Sequence, residues 1–329
     1  MFGGYRIRWF KESDLESYIS GLNANLYECY DEARFRWKMV ETPFSLGFVS
    51  IAVAESQEGE PVAFNSFMPL QVRTREGIIP MVQGCDGFVH PAHRRMGLFQ
   101  QTLRFMVREL AGMGPEFLMG FNFGGSAGAA QKVGSTVTCD ARVWEAKAED
   151  VLAPAIPREE NVSVRRIGFA ELYRLYERWA SSTDLLHYYR TPEYLRWRYS
   201  HPLRRSSFYE VGVGDEVGYV TVSLEGNPDG SRDVFFEDYT PSMVKPEVLA
   251  VVLREVARGG EPLATVHATG LNVSSLPSAA SVLGLVPDAT YTLIMNAISG
   301  VETHGNKLFK GKTELTRVES WHIASSDVF

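Results

Sequence analysis

Residues 120–134, GFNFGGSAGAAQKVG, support two incompatible readings that lead to different folds. Within them Gly124-Gly125-Ser126-Ala127-Gly128 fits the G-x-S-x-G turn that lifts a nucleophilic serine between strand and helix. The same residues align without gaps on 270–284, GLNVSSLPSAASVLG, pairing Gly120 with Gly270, Asn122 with Asn272, Ala130 with Ala280 and Gly134 with Gly284. That alignment sets Ser126 opposite Leu276, which no nucleophile elbow resembles. A serine hydrolase also needs an oriented base and an acid. His187, His201, His267, His304 and His322 lie downstream, so a hydrolase built on Ser126 stays open as the alternative. In the other reading Ser126 starts a short helix, where a hydroxyl can cap exposed N–H groups.

Working outward, the repeat extends well beyond this stretch. ARFRWKMVETP (33–43) has a counterpart in EYLRWRYSHP (193–202), each an amphipathic helix end with Arg-Trp, a basic residue and then a stopping proline, Pro43 or Pro202. Between these anchors both halves show an alternating strand pair, a further strand, a long helix, a strand, a short helix and a last strand. The expected fold is therefore α/β, with two tandem domains, each a mixed sheet flanked by helices. The proline-bearing AEDVLAPAIPREEN (148–161) is the natural linker, giving domains 1–155 and 156–329.

Composition narrows the function. The 329 residues are 45% hydrophobic and 22% charged, ordinary for a chain that buries a full core. A net charge of -7 disfavours a nucleic-acid binder, which needs a basic surface to displace counterions from phosphate. No apolar run approaches a membrane span, and the start MFGGYRIRWFKESD has no apolar leader core, so a cytoplasmic protein without a membrane partner is expected. Cys29, Cys85 and Cys139 form no C-x-x-C pair and are odd in number, which predicts buried free thiols and no zinc site. Composition leaves the oligomeric state open.

Chemistry concentrates in residues 84–110, GCDGFVHPAHRRMGLFQQTLRFMVREL. Arg94-Arg95-Met96-Gly97-Leu98-Phe99 follow an apolar strand and open a helix whose Leu98, Phe99, Leu103, Phe105, Met106 and Leu110 suit packing on a sheet. A helix start presents unpartnered N–H groups and the positive end of the macrodipole, so it can cradle a diphosphate while nearby arginines add charge. Gly97 is expected to let backbone approach the phosphates.

This strand, loop and helix resemble motif A of the GNAT acyltransferases, whose R/Q-x-x-G-x-G/A loop binds the pyrophosphate of coenzyme A. Arg94 and Gly97 match; Phe99 stands where Gly or Ala is usual. GAAQKVG (128–134) resembles the family's short helix, with Asn122 at the preceding strand end and Lys132 within reach of phosphate. The resemblance covers essentially the whole chain as a tandem of two GNAT-like halves. The second is degenerate, carrying Met243-Val244-Lys245-Pro246 where the first has Arg-Arg-Met-Gly. The resemblance implies an acyl-CoA-dependent N-acyltransferase that uses acetyl-CoA or another acyl-CoA, with one cofactor site and no metal. Its acceptor would be a primary amine of a small molecule or amino sugar. It places the oxyanion donor on the main chain around Phe88 and Val89, and it puts Ala130 where a general-acid tyrosine is usual.

Other residues are read on their own chemistry. Asp86, with Gln83 on the same strand, is the nearest candidate base. His90 and His93 flank a proline loop without a third ligand, and are read as loop histidines. Trp37 and Trp197 are expected in the core. Tyr27, Tyr30, Asp31, Tyr188, Tyr189, Asp238 and Tyr239 are expected to border an acceptor groove. A non-catalytic acyl-CoA sensor would keep Arg94 and Gly97 while lacking an acid and a base.

Overall fold

A computed structural model describes residues 4–26, 29–123, 125–152, 161–271 and 276–324. The expected linker centre, with the boundary near residue 155, lies outside the described residues, as do Tyr27, Gly124 and Asn272. The order begins β1 (Arg6–Trp9), α1 (Leu15–Asn25) and α2 (Glu32–Phe35), which runs into a π-helical turn (Arg36–Val40). Then follow β2 (Ile51–Glu55), β3 (Pro61–Thr74), β4 (Gly77–Val89), α3 (Leu98–Leu110), β5 (Phe117–Asn122), α4 (Ser126–Gln131), β6 (Thr136–Lys147) and α5 (Ala148–Leu152). Next come β7 (Val162–Ile167), α6 (Phe169–Ala180), β8 (Leu186–Tyr188), α7 (Pro192–Arg198), β9 (Arg204–Val213), β10 (Glu216–Gly226), β11 (Arg232–Tyr239) and α8 (Pro246–Ala257). The chain continues with β12 (Leu263–Leu271), α9 (Leu276–Val282), β13 (Val286–Ala297), the small strands β14 (Glu302–His304), β15 (Lys307–Lys310) and β16 (Thr313–Glu314), and β17 (Trp321–Ala324).

Two compact units result, and neither is one continuous piece of chain. The first holds residues 1–140 and 291–318, the second 141–290 and 319–328. In the first unit β1, β2, β3 and β4 pair antiparallel in order, β4 and β5 pair parallel, and residues 292–297 of β13 close the sheet against β5. In the second, β7, β9, β10 and β11 pair antiparallel, β11 and β12 pair parallel, and residues 142–147 of β6 close the sheet against β12. Each unit thus takes its closing strand from the far end of the other stretch of sequence. A strand edge offers only generic N–H and C=O groups, so local sequence leaves the partner undecided.

Alternation sorts the side chains onto two faces. In the first unit Ala52, Phe67, Val82 and Leu118 pack under α3 and α4, while Ile51, Val53, Phe64 and Phe88 pack under α1 and α2. α3 buries Leu98, Thr102, Leu103, Met106 and Leu110, a helical stripe with polar residues on its other side. In the second unit α8 and α9 cover one face with Val248, Leu249, Val252, Leu253 and Ala279, and α6 covers the other with Leu172, Leu175 and Tyr176. Trp37 and Trp197 are buried, as their repeat positions suggest.

Candidate functional site

The parallel ladder between β4 and β5 runs from Met81 with Phe117 to Gly84 with Gly120 and stops there. Immediately beyond, β4 bulges: Asn65 faces Gly87 and Phe67 faces Gly84, so Cys85 and Asp86 together stand opposite Ser66. Beyond Gly84, among the described residues, β4 has no ladder to β5, and the two strands part as a wedge. The amide of His90 donates to Val62 O at 2.8 Å. Antiparallel alternation then turns the N–H and C=O of Val89 and Gly87 away from β3, toward the wedge.

At the mouth of the wedge lies the loop into α3. Arg94 is extended, Arg95 is at φ 65°, and Gly97, the residue before the helix, is at φ 71°. Arg95 is, among the described residues, the one non-glycine with positive φ. A bulky residue held there costs roughly 1–2 kcal/mol, strain of the kind stored at ligand sites. α3 has no side-chain cap among the described residues, and its first turn carries no acid. Its orphan N–H groups and positive dipole end are therefore left for an external anion. Gly97 is needed for its φ, since a Cβ there would meet nothing within 4 Å. Phe99 explains its departure from the usual small residue by packing partly buried under α3, beside Leu103 and Met106, while its backbone stays at the helix start.

These features turn a resemblance into a testable likeness. No family model matches the sequence, and no curated protein matches it. Solved structures do match. A GCN5-related N-acetyltransferase from Anabaena variabilis aligns with a TM-score of 0.61 at 13% identity, over 89% of this chain and 73% of its own. One from Kribbella flavida gives 0.60 at 16%, over 90% and 71%. The N-myristoyltransferase of Saccharomyces cerevisiae, solved with bound myristoyl-CoA and inhibitors, gives 0.63 at 12%, over 98% and 86%. The fold is the one these N-acetyltransferases and the N-myristoyltransferase share.

Within that fold, the expected site residues separate into two groups. Arg94 and Val89 come together, Arg94 Nε donating to Val89 O at 3.1 Å, and Arg94 Nη2 donates to Asn25 Oδ1 at 2.6 Å. Arg95 and Met96 are exposed, Gly97 is half-buried, and Leu98 is buried beside Ala63. Asn122 ends β5, across the wedge from the bulge, with its Oδ1 folded back toward Gly120. Phe88 turns its ring away from the wedge, stacks on Phe64 and sets the tip of its ring against Gly21 of α1, where any Cβ would overlap it. By the alternation that turns Val89 outward, the N–H and C=O of Phe88 face β3, so the expected oxyanion donor narrows from Phe88 and Val89 to Val89. Lys132 is exposed, and its carbonyl accepts from Arg104, about 9 Å along α3 from the helix start.

Asp86 is not a free carboxylate. Its two oxygens each lie 3.0 Å from Lys38 Nζ, and both side chains are almost fully buried. Lys38 sits in the π-helical turn, which swings it inward. Gln83 is fully buried. Cys85, its thiol 3.5 Å from Ser66 O, is pushed up to about 12 by burial, so it is no thiolate nucleophile. Tyr18 hydrogen-bonds Ser66 across from the bulge, and burial, then the Asp86 charge, hold its hydroxyl protonated well above the ordinary range.

Several expectations need correction. Ser126 is the first residue of α4, its hydroxyl donates to Phe123 O at 2.9 Å, and it caps no N–H. It also lacks the strained backbone of a nucleophile elbow, since its φ is not positive. The candidate bases are engaged elsewhere: His187 Nδ1 with Leu185 O, His201 Nδ1 accepting from Leu203 N, His322 beside Asp238, His267 stacked on Phe235, and His304 beside Glu302. His90 Nδ1 accepts from Ala92 N, and His93 Nδ1 pairs with Tyr5 OH. Ala130 is fully buried in the core, so a side chain at this place would point inward instead of toward a leaving thiolate. Of the expected groove residues, Tyr30, Tyr188, Asp238 and Tyr239 are buried, and Asp31 is the N-cap of α2. The thiol expectation fails at Cys29, which is exposed in the segment between α1 and α2.

Sequence reasoning missed the buried charge pairs. Arg190 Nε lies 2.6 Å from Asp238 Oδ2, and Arg198 Nη2 lies 3.3 Å from Glu237 Oε2. Around Asp238 stand Tyr219 OH at 3.2 Å and His322 Nε2 at 3.6 Å. A signal for one set was present: the basic residue after Arg-Trp in both repeats is Lys38 in one and Arg198 in the other.

Proposed function

We propose that the protein is an acyl-CoA-dependent N-acyltransferase, with acetyl-CoA as donor and a primary amine of a small molecule or amino sugar as acceptor. One observation carries this reading: an uncapped, acid-free helix start behind two left-handed residues opens onto a strand wedge lined by unladdered backbone. The diphosphate would rest on the amides that open α3, with Arg94 and Arg95 adding charge-assisted bonds. The thioester would lie along β4, where the Val89 N–H can stabilise the oxyanion that forms as a neutral amine attacks. The C–N bond then forms, the C–S bond breaks, the amine loses a proton and the thiolate gains one.

One site per chain follows from the second unit's helix start. α8 opens with Pro246, which has no N–H, and with Glu247, whose carboxylate already answers the dipole. Titration calorimetry with acetyl-CoA should saturate at one equivalent, and Lys245→Ala should leave the affinity unchanged. Two equivalents, or none, overturns the reading. A non-catalytic acyl-CoA sensor is favoured by the buried Ala130 and by the Asp86 pair, which leave α4 and β4 without a free acid or base. Thiol release across a panel of amines identifies the enzyme; binding without release identifies the sensor.

A further inference from the structure

We infer that Lys38 and Asp86 are positioning residues that hold the β4 wedge open and so aim the Val89 amide at the thioester, an inference that rests on the acyl-transfer reading above. Three observations combine. First, Asp86 lies in the bulge itself, and the ladder to β5 ends two residues before it, at Gly84. A bulge adds one residue to one strand, kinks it and shifts which amides face which edge. If the bulge were to relax into regular pairing, every later residue of β4 would change sides, and the Val89 N–H would turn toward β3.

Second, the bulge is anchored from outside the sheet. Lys38 comes from the π-helical turn Arg36–Val40, and its Nζ holds both Asp86 oxygens at 3.0 Å, with 3% and 2% of the side chains exposed. A buried carboxylate without its cation would be strongly unfavourable, so the pair fixes Asp86, and through it the bulge, to the helical turn. Third, the second unit repeats the device. Its β10–β11 ladder skips Glu237, because Thr221 faces Asp238 and Val222 faces Phe236. The β11–β12 ladder ends just before, at Phe236 with Ala268. Glu237 is held by Arg198, the residue that follows Arg-Trp as Lys38 does, at 3.3 Å, and also by Arg204 of β9 at 2.6 Å. The pair therefore accompanies the wedge in both units, including the one whose helix start is closed to phosphate, which assigns it to strand geometry and not to proton transfer or phosphate binding.

The test reads the thioester carbonyl directly. Acetyl-CoA isotope-labelled at its carbonyl carbon is bound to the full-length protein, and the infrared carbonyl band is compared with that of free acetyl-CoA, alongside calorimetric affinity. In the wild type the band should shift to lower frequency, as hydrogen bonding to an amide requires. Lys38→Met should keep affinity within about threefold, because the phosphate loop is intact, while the band returns toward its free position. Lys38→Arg should restore the shift. Asp86→Glu keeps both charges but lengthens the carboxylate by one methylene, so it should move the band without unfolding the protein and serves if Lys38→Met does not fold. Unchanged bands in Lys38→Met and Asp86→Glu overturn the inference, as does parallel loss of band shift and affinity. A wild type that binds with an unshifted band overturns this inference alone; a wild type that does not bind acetyl-CoA overturns the acyl-transfer reading and this inference with it.

Discussion

In the first unit α3 begins at Leu98 behind Gly97 at φ 71°, with no acid in its first turn; in the second, α8 begins at Pro246 with Glu247 beside it. Both helices follow a strand that bulges at a buried acid and leaves its parallel neighbour at the bulge. Wedge and helix-start loop are thus separable. The wedge is a property of strand register and survives without ligand chemistry. The loop needs particular backbone angles and free amides, and a proline with an acid at the helix start is enough to end it.

The second unit has instead elaborated its buried charges, and that difference predicts the largest effect. Arg190→Met leaves Asp238 buried without its main cation and should cost about 3–5 kcal/mol, lowering the melting temperature by roughly 10 °C in calorimetry while acetyl-CoA affinity is kept. For Asp238, burial favours the neutral acid, but Arg190 and then His322 outweigh it and hold the carboxyl below its ordinary range. A depressed carboxylate contributes stability above its unfolded-state pKa and loses it as pH falls through the lowered folded value. Wild-type stability from this pair should therefore fade only in acid, and Arg190→Met should move that loss to higher pH. A pH series of melting temperatures that is parallel for both proteins would remove Asp238 from this account.

A smaller but still large effect belongs to the first unit. Gly97→Glu puts a side chain at φ 71° and a negative charge beside the diphosphate, and should weaken acetyl-CoA binding by roughly 2–4 kcal/mol, about 30- to 1,000-fold. Lys245→Glu, its counterpart in the second unit, should change affinity less than about twofold. Equal losses at the two positions would mean that both helix starts bind phosphate. A small effect, on stability alone, is expected at Ser126→Ala, which removes one hydrogen bond to Phe123 O, worth about 1 kcal/mol. A fluorophosphonate probe should leave Ser126 unlabelled, and stoichiometric labelling there would restore the hydrolase alternative.

Local chemistry was legible in the sequence. The loop from Arg94 to Gly97 could be read because a glycine before a helix and an apolar stripe every three to four residues act within a few positions. The matched starts of α4 at Ser126 and α9 at Leu276 follow the gapless alignment in the same way. Asp86 was legible as an acid on the right strand but not as a paired one, because Lys38 lies 48 residues away and helical spacing says nothing of which cation meets which bulge. Tyr188, Asp238 and Tyr239 were misplaced for the same reason: an aromatic or acidic side chain looks alike in a groove and in a satisfied core until its neighbours are known.

By itself, then, the sequence determined the helices, the alternating strands, the glycine-led start of α3 and the matched Arg-Trp-basic segments that supply Lys38 and Arg198. Tertiary structure alone decided that residues 292–297 close the first sheet and residues 142–147 the second. It alone placed a buried carboxylate in each bulge under a cation from a distant helical turn. The physical reason is range: helix starts, caps and turns are set by backbone angles over a few residues, whereas strand partners and buried charge pairs are chosen by which distant surfaces can satisfy one another once water is excluded.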